Sequence, residues 1–180
     1  MRRLLLLRHA KTENESPSGR DRDRRLDERG RGDAALLGSF IGRHMLLPEA
    51  VLVSPATRAH QTWDVVRESL AEQGAAPDAE LRPELYGADA TLLLLAIRGA
   101  ALTDPTGLML VGHNPGLHEL ALMLCGSGDD AARQALADNL PTAGLAVFEF
   151  DSDDWEDVAF RRGRLVRFVS PKLLKLAPDD

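Results

Sequence analysis

Three short runs of uninterrupted apolar residues lie far apart along the chain, at positions 4–7, 50–53 and 108–111. A strand with one face in water alternates apolar and polar residues, whereas an unbroken run is typical of a strand covered on both faces. The sequence between the runs is long enough for a helical crossover in each case. The pattern predicts an α/β domain whose central sheet is mainly parallel.

Helix-start signals support this interpretation. Asp27 is a favoured N-cap for a first helix, and Ser54-Pro55 and Asn114-Pro115 each combine a capping residue with a proline at the first helical position. We expect these helices to end near residues 44, 73 and 126, with another helix over residues 90–98. Residues 80–86 should be irregular or briefly extended, and residues 145–150 and 164–169 should form two late neighbouring strands.

The size and charge of the chain exclude several classes of protein. A length of 180 residues suits one domain, spanning residues 1–180. The formal net charge of -6 disfavours nucleic acid as a partner, because a nucleic-acid binder normally carries a basic face. The single cysteine excludes an intrachain disulfide and a cysteine-based zinc site, and we expect neither a metal nor another cofactor.

No apolar stretch is long enough to suggest a membrane segment. The run at positions 4–7 is shorter than the ~7–15 residues of a signal-peptide core. The stretch at positions 91–97 falls far short of the ~20 residues that span a bilayer. We therefore expect a cytoplasmic protein with no membrane partner.

Unusual polar residues stand where the three predicted strands end. Arg8 and His9 follow the first run, Arg58 lies in the first turn after the second, and His113 follows the third. Ligands of open α/β sheets bind outside the carboxyl ends of the strands. Arginine matches phosphate oxygens bidentately, and helix N-termini favour anions. We expect these four side chains to form a phosphate pocket.

Two histidines in such a pocket indicate phosphoryl transfer. A neutral imidazole can attack phosphorus, and a second, protonated imidazole can neutralise charge on the phosphoryl oxygens. This chemistry consists mostly of positioning and electrostatics, so it does not require a metal when enough cationic donors are present.

Three segments, in this order, resemble motifs of the phosphoglycerate mutase-like histidine phosphatase superfamily. They are residues 6–10 (Leu-Leu-Arg-His-Ala), 54–62 (Ser-Pro-Ala-Thr-Arg-Ala-His-Gln-Thr) and 111–116 (Val-Gly-His-Asn-Pro-Gly). The short length and the segments 23–30 and 170–172 are most similar to the SixA-type phosphohistidine phosphatases. The resemblance covers residues 3–172 and implies a three-layer α/β/α sandwich with a mainly parallel sheet.

The resemblance also implies catalytic roles. His9 would be the nucleophile that becomes transiently phosphorylated, Arg8 and Arg58 would hold the phosphoryl oxygens, and His113 would stabilise the transferring group. Ala10 stands where glycine is commoner in the family. Water would then hydrolyse the phosphohistidine intermediate.

Three further residues are candidates for the site. Arg24 aligns with an arginine that precedes Pro-Leu in the family, although Arg25 occupies the proline position here. Asn114, at the start of the third helix, is a candidate phosphate-binding residue. In the sugar-phosphate branch of the family a carboxylate protonates the leaving oxygen. Glu84 is the nearest candidate for this general acid, although its spacing to the following Tyr-Gly pair differs from the mutase pattern.

The compact chain leaves no room for the large lid insertions that enclose small sugar phosphates. We therefore expect a phosphoprotein, bearing phosphohistidine, as the substrate. A small-molecule phosphomonoesterase, which would require Glu84 as its acid, is the alternative. A non-catalytic phosphate-binding module is disfavoured because both histidines are present.

Other polar residues have simpler interpretations. His44, His60 and His118 are expected to be structural or solvent-exposed, since their spacing does not place them with the two site histidines. The densely charged segment 20–33 is interpreted as a solvated loop or helix face. The alternative is that part of it borders the pocket and meets an acidic phosphoprotein.

Overall fold

The computed structural model describes residues 1–74 and 76–177 of the chain. Its strands are Arg2–Arg8 (β1), Ala50–Val53 (β2), Ala79–Leu81 (β3), Gly107–Gly112 (β4), Cys125–Gly128 (β5), Leu145–Phe150 (β6) and Gly163–Val169 (β7). Its α-helices are Glu28–Arg43 (α1), Thr57–Leu70 (α2), Ala90–Gly99 (α3), Gly116–Leu124 (α4), Asp130–Asp138 (α5) and Pro171–Leu176 (α6). None of these described helices is both long and apolar enough to cross a membrane.

The seven strands form one sheet in the order β3-β2-β4-β1-β6-β7-β5. The neighbours of β4 on both sides, β1 and β2, run parallel to it, and β3 runs parallel to β2. Strand β6 is antiparallel to both β1 and β7, so the two predicted late strands do pair as neighbours. The prediction of a mainly parallel sheet is confirmed.

The central strand β1 shows why its sequence is uniformly apolar. Leu4 and Leu6 pack into a core beneath α3, α4 and α5, while Leu5 and Leu7 pack on the opposite face beneath α1 and α2. All four side chains are fully buried. Helices on both faces of the sheet confirm the predicted three-layer α/β/α sandwich.

The first helix begins as predicted. Asp27 is the N-cap of α1, and its carboxylate accepts a 2.7 Å hydrogen bond from the Gly30 amide. Gly30 also packs against the backbone carbonyl of Lys11, so close that a Cβ atom at this position would collide with it. The start of α1 is therefore held against the segment that follows β1.

The helices predicted after Ser54-Pro55 and Asn114-Pro115 are present, but the predicted cap residues are wrong. Helix α2 begins at Thr57 with Ala56 as its N-cap, and the hydroxyl of Ser54 accepts a 3.3 Å hydrogen bond from the Ala56 amide while lying 2.7 Å from a histidine side chain. Helix α4 begins at Gly116 with Pro115 as its N-cap, and the side chain of Asn114 instead donates to the carbonyl of Leu140. Neither Ser54 nor Asn114 is therefore the N-cap of the helix that follows it.

Three elements were not predicted: β5, α5 and α6. Helix α4 ends at Leu124, where the chain turns into β5, whose sequence Cys-Gly-Ser-Gly has none of the apolar character of a buried strand. Strand β5 lies at the edge of the sheet and pairs with β7, so long-range pairing determines its conformation. Local patterns do not carry that information.

Candidate active site

The carboxyl ends of three parallel strands meet at one edge of the sheet. The His9 amide donates to the carbonyl of Gly112 at 3.1 Å, and the Ser54 amide donates to the carbonyl of Val111 at 3.0 Å. The residues that follow β1, β2 and β4 are therefore side by side, although they are far apart in sequence. This is the convergence that the apolar runs predict.

The imidazole of His9 is buried and has a defined orientation. His9 is only 7% exposed, and its Nδ1 atom is 2.8 Å from the carbonyl oxygen of Ala10. A carbonyl only accepts hydrogen bonds, so Nδ1 carries the hydrogen and Nε2 keeps its lone pair. Burial, opposed by the bond to Ala10 and assisted by nearby His113, Arg58 and Arg8, lowers the pKa of His9 to about 3.

The second histidine lies next to the first. The ring centroids of His9 and His113 are 5.2 Å apart. Nε2 of His113 is 2.7 Å from the Ser54 hydroxyl, and its Nδ1 is buried without a hydrogen-bond partner among the described residues. Burial, followed by the charge of Arg58, lowers the pKa of His113 to about 4, although Asp21 acts in the opposite direction. Both rings are neutral at physiological pH when the site is free.

Arg58 brings its guanidinium to the same place from the first turn of α2. The residue is 6% exposed, and both terminal nitrogens contact Asp21: Nη1 donates to its backbone carbonyl at 2.8 Å and Nη2 to its carboxylate at 2.9 Å. The remaining nitrogen, Nε, is buried with no partner in the described chain. Asp21 thus holds the two terminal nitrogens of the Arg58 guanidinium in place.

Asp21 is the site residue that sequence reasoning missed. Besides Arg58, its carboxylate accepts hydrogen bonds from Tyr86 Oη at 2.7 Å and Arg24 Nε at 3.0 Å. The bond from Tyr86, followed by those from the two arginines and opposed by desolvation, holds the pKa of Asp21 well below its usual range. Part of the charged segment 20–33 therefore borders the pocket, as the alternative interpretation of that segment proposed.

Tyr86 was also missed. It is the single tyrosine of the chain, and its ring lies edge-on to that of His113 with centroids 5.7 Å apart. It stands two residues after Glu84, the residue that was predicted as a general acid. The only local signal was its position in an irregular polar segment.

Arg8 and Asn114 converge on one carbonyl of the loop before β6. Arg8 Nη1 donates to Leu140 O at 3.2 Å, and Asn114 Nδ2 donates to the same oxygen at 2.8 Å. The Ala143 amide in turn donates to the carbonyls of both Arg8 and His9. Burial and the neighbouring Arg58 lower the pKa of Arg8. This loop, which the sequence did not single out, holds the backbone of the predicted nucleophile.

Arg24 and Glu84 differ in their relation to the pocket. Arg24 contacts Asp21 and donates to the hydroxyl of Thr12 at 2.7 Å, and its charge is one of those that lower the pKa of His113. Glu84 is exposed, and its carboxylate accepts a 2.6 Å hydrogen bond from Arg82. In the described chain, no hydrogen bond links Glu84 to the histidines or arginines of the site. Its own backbone N–H, together with Arg82 and against weak desolvation, lowers its pKa.

The other histidines lie apart from these groups. His44 stacks on Phe40, His60 is 3.7 Å from Asp64, and His118 contacts the carbonyl of Leu136. Within residues 1–74 and 76–177, no group of three histidine, cysteine or acidic side chains is arranged to hold a metal ion.

A model of a known family matches the part of the chain that carries the first two of the three motifs. Residues 4–90 match the model of the histidine phosphatase superfamily (branch 1). This segment contains Arg8, His9, Asp21 and Arg58. His113 lies beyond it.

Relatives extend the similarity over almost the whole chain. The uncharacterized protein Rv1276c of Mycobacterium tuberculosis is 36% identical, over 92% of this chain and 100% of its own length. A solved structure from Agrobacterium tumefaciens, provisionally named phosphohistidine phosphatase SixA, is 32% identical with a TM-score of 0.71, covering 94% of this chain and 99% of that one. A structure from Nakamurella multipartitia with the same provisional name is 25% identical with a TM-score of 0.79, covering 94% and 96%.

Proposed function

Because this chain belongs to the histidine phosphatase superfamily, we propose that its phosphatase reaction proceeds through a covalent phosphohistidine on His9. One observation carries this proposal: the ring of His9 is neutral and buried, and its Nδ1 hydrogen is bound to Ala10 O. The lone pair of Nε2 is then available to attack phosphorus. A protonated imidazole would have no such lone pair.

Three cationic side chains hold the phosphoryl group. Arg8 and Arg58 each keep a buried Nε–H without a partner in the described chain, and Arg24 lies at the edge of the pocket beside Asp21. A buried donor without an acceptor is costly, and a bound phosphoryl oxygen removes that cost. The cations also explain how an acidic protein binds a dianion.

His113 stabilises the transferring group. Its pKa of about 4 makes it neutral in the free site, chiefly through burial and the neighbouring Arg58. A bound dianion favours the protonated ring and raises this pKa, so His113 takes up a proton as the substrate binds. The imidazolium then neutralises charge on the phosphoryl oxygens.

The substrate class that we propose is phosphohistidine in a protein. Glu84, the expected acid for ester hydrolysis, is exposed and paired with Arg82. An N-linked phosphoryl group does not need this acid, because a protonated imidazole is already a good leaving group. The relative from Agrobacterium tumefaciens, whose provisional name gives it the same activity, supports this choice.

The covalent step is tested by trapping. The protein is mixed with a radiolabelled phosphodonor, quenched in alkaline denaturant and separated by electrophoresis. We expect a base-stable, acid-labile phosphoprotein that is absent from His9→Ala. His60→Ala is the matched control, because His60 lies on α2 but contacts Asp64. Label that persists in His9→Ala would overturn the proposal.

The substrate class is tested separately. The same enzyme is incubated with a phosphohistidine-bearing phosphotransfer domain and with a panel of small phosphomonoesters. We expect kcat/KM to be highest for the phosphotransfer domain. Turnover of the small esters alone would establish the small-molecule phosphatase instead.

A further inference from the structure

The mouth of the pocket contains a carboxylate that receives three hydrogen bonds. Arg58, Arg24 and Tyr86 all donate to Asp21, at 2.9, 3.0 and 2.7 Å. The Asp21 side chain is nevertheless 53% exposed. It therefore faces solvent while its inner side is bound to the phosphate-binding arginine.

In-line transfer from a buried nucleophile sends the leaving group toward the exposed side of the pocket. His9 lies at the buried floor of the pocket, and phosphoryl transfer places the attacking and leaving atoms roughly in line on opposite sides of phosphorus. The group that leaves must depart away from His9, toward the mouth. Asp21 and Tyr86 are the more exposed neighbours of Arg58 and His113, with an Asp21 side chain that is 53% exposed and a Tyr86 ring next to that of His113.

Neither of these two side chains supplies a proton to the leaving group. Asp21 is kept ionised by its three donors, so it has no proton to give. The hydroxyl hydrogen of Tyr86 is bound to Asp21, and that bond raises the pKa of the phenol. The mouth is thus suited to a leaving group that brings its own proton.

We propose that Asp21 is a specificity-determining residue, whose carboxylate accepts a hydrogen bond from the N–H of a leaving imidazole or amine and thereby favours N-phosphoryl over O-phosphoryl substrates. This inference rests on the proposed function of His9. In the step itself, the bond from phosphorus to the His9 Nε2 forms and the P–N bond breaks. The bonding electron pair stays on the leaving nitrogen, and a ring protonated at its distal nitrogen departs as neutral imidazole.

The ionised Asp21 carboxylate has the opposite effect on a phosphate ester. Its leaving oxygen develops negative charge as the P–O bond breaks, and it does so beside an ionised carboxylate. Like charges repel, and neither Asp21 nor Tyr86 offers a proton. The same residue that assists a nitrogen leaving group therefore hinders an oxygen leaving group.

A cleft next to Asp21 has room for the rest of the leaving group. It has a volume of about 540 Å³, is lined by Asp21, Arg24 and residues of the segment 14–20, and is polar. Glu15 adds a second carboxylate to its wall. A polypeptide segment that carries an N-phosphorylated side chain fits this environment.

The test compares two substrates in two variants. Phosphoimidazole and p-nitrophenyl phosphate share the phosphoryl group but leave through nitrogen and oxygen, so their ratio of kcat/KM reports the leaving group. We expect Asp21→Asn to lower the ratio of phosphoimidazole to ester turnover at least tenfold. Asp23→Asn is the matched control, because Asp23 lies in the same turn but its carboxylate accepts from Ser18, and its ratio should equal that of the wild type.

The same experiment distinguishes a loss of leaving-group preference from a displacement of the Arg58 side chain. Loss of the Asp21 contact with Arg58 would weaken binding of both substrates and of tungstate, a phosphoryl mimic, without changing the ratio. If the ratio is unchanged in Asp21→Asn, the role proposed for Asp21 is wrong, while the proposed function of His9 is unaffected. If the wild type forms no His9-dependent phosphoenzyme from either substrate, the proposed function itself fails.

Discussion

The imidazole rings of His9 and His113 lie 5.2 Å apart, tilted by 50°, at the ends of neighbouring parallel strands. Two protonated rings at this distance would repel each other, and Arg8 and Arg58 add further positive charge. Burial and these charges together lower both pKa values. The free site therefore holds two neutral histidines, and this state has consequences for stability and catalysis.

The stability of the fold should depend on pH because of these rings. In the unfolded chain both histidines take up protons near pH 6.5, whereas their folded pKa values are about 3 and about 4. Their contribution is fully present above pH 6.5 and is lost as the pH falls. We expect the free energy of unfolding to decrease from pH 6.5 to 4.5 by up to about 1.4 kcal/mol per pH unit for each ring.

This dependence is measured by urea denaturation at several pH values. His9→Gln and His113→Gln should each reduce the slope, and the double variant should reduce it further. Asp21 in the folded protein does not contribute to this slope, because its pKa is lowered from 3.8 and therefore lies below the range from pH 6.5 to 4.5. Equal slopes in the wild type and the double variant would mean that the rings are not buried in neutral form.

Arg58 should be essential for activity and not replaceable by lysine. Arg58→Ala removes a preorganised charge, and the loss of one such donor costs about 2.7–4 kcal/mol of barrier, or ~100–1000-fold in kcat. Arg58→Lys should recover little, because an ammonium cannot contact both Asp21 and a phosphoryl oxygen in the geometry of a fork. Steady-state kinetics with p-nitrophenyl phosphate give the comparison.

Arg67→Ala is the control for this experiment. Arg67 is on the same helix, but it is half-exposed and pairs with Asp78. Its loss should leave kcat/KM within about twofold of wild type, since an exposed ion pair contributes little. Equal losses in the two alanine variants would show that α2, rather than the guanidinium of Arg58, is being perturbed.

Glu84→Gln should have little effect on phosphohistidine hydrolysis. The carboxylate is exposed and bound to Arg82, and it makes no hydrogen bond to the described residues of the site. We expect kcat for a phosphohistidine-bearing domain to change less than about threefold over pH 6–8, judged against the 10²–10⁴-fold typical of general acid catalysis. A loss in that larger range would restore Glu84 as the general acid.

Two glycines of α1 should respond in opposite ways to the same substitution. Gly30→Ala places a Cβ against the Lys11 carbonyl and should destabilise the fold by more than about 1 kcal/mol, because the backbone must move. Gly32→Ala meets no atom within 4 Å and should stabilise the helix by about 0.5–1 kcal/mol. The Tm values of the two variants, measured by thermal unfolding, test this difference. Equal shifts in Tm would contradict the close packing at Gly30.

The sequence predicted the sheet and the residues at its carboxyl edge for a physical reason. A strand buried on both faces must be apolar throughout, so the end of the run at Leu7 or Val111 marks where the chain leaves the core. Arg8, His9 and His113 were found in this way. The strand order, with β4 between β1 and β2, was not, because it depends on pairing between distant segments.

The errors concern polar residues whose partners are distant. Ser54 and Asn114 have the local signature of helix caps, but their side chains bind His113 and Leu140. Asp21 and Tyr86 stand in connecting segments with no periodic pattern, and only the folded chain brings them to Arg58 and His113. Local propensity describes only the partners that a polar side chain can find within a few residues. Here contacts with distant residues also determine which hydrogen bonds Ser54 and Asn114 make.

The Ala143 amide binds the carbonyls of both Arg8 and His9, so it holds the backbone where β1 ends. The His9 amide is bound to Gly112 on the other side, so the backbone of the proposed nucleophile is held from two directions, whereas Asp21 and Tyr86 lie in connections outside the sheet. The two roles that we propose, bond-making by His9 and substrate choice by Asp21, therefore belong to separate parts of the fold. New substrate preferences could be engineered into these connections while the reactive centre keeps its geometry.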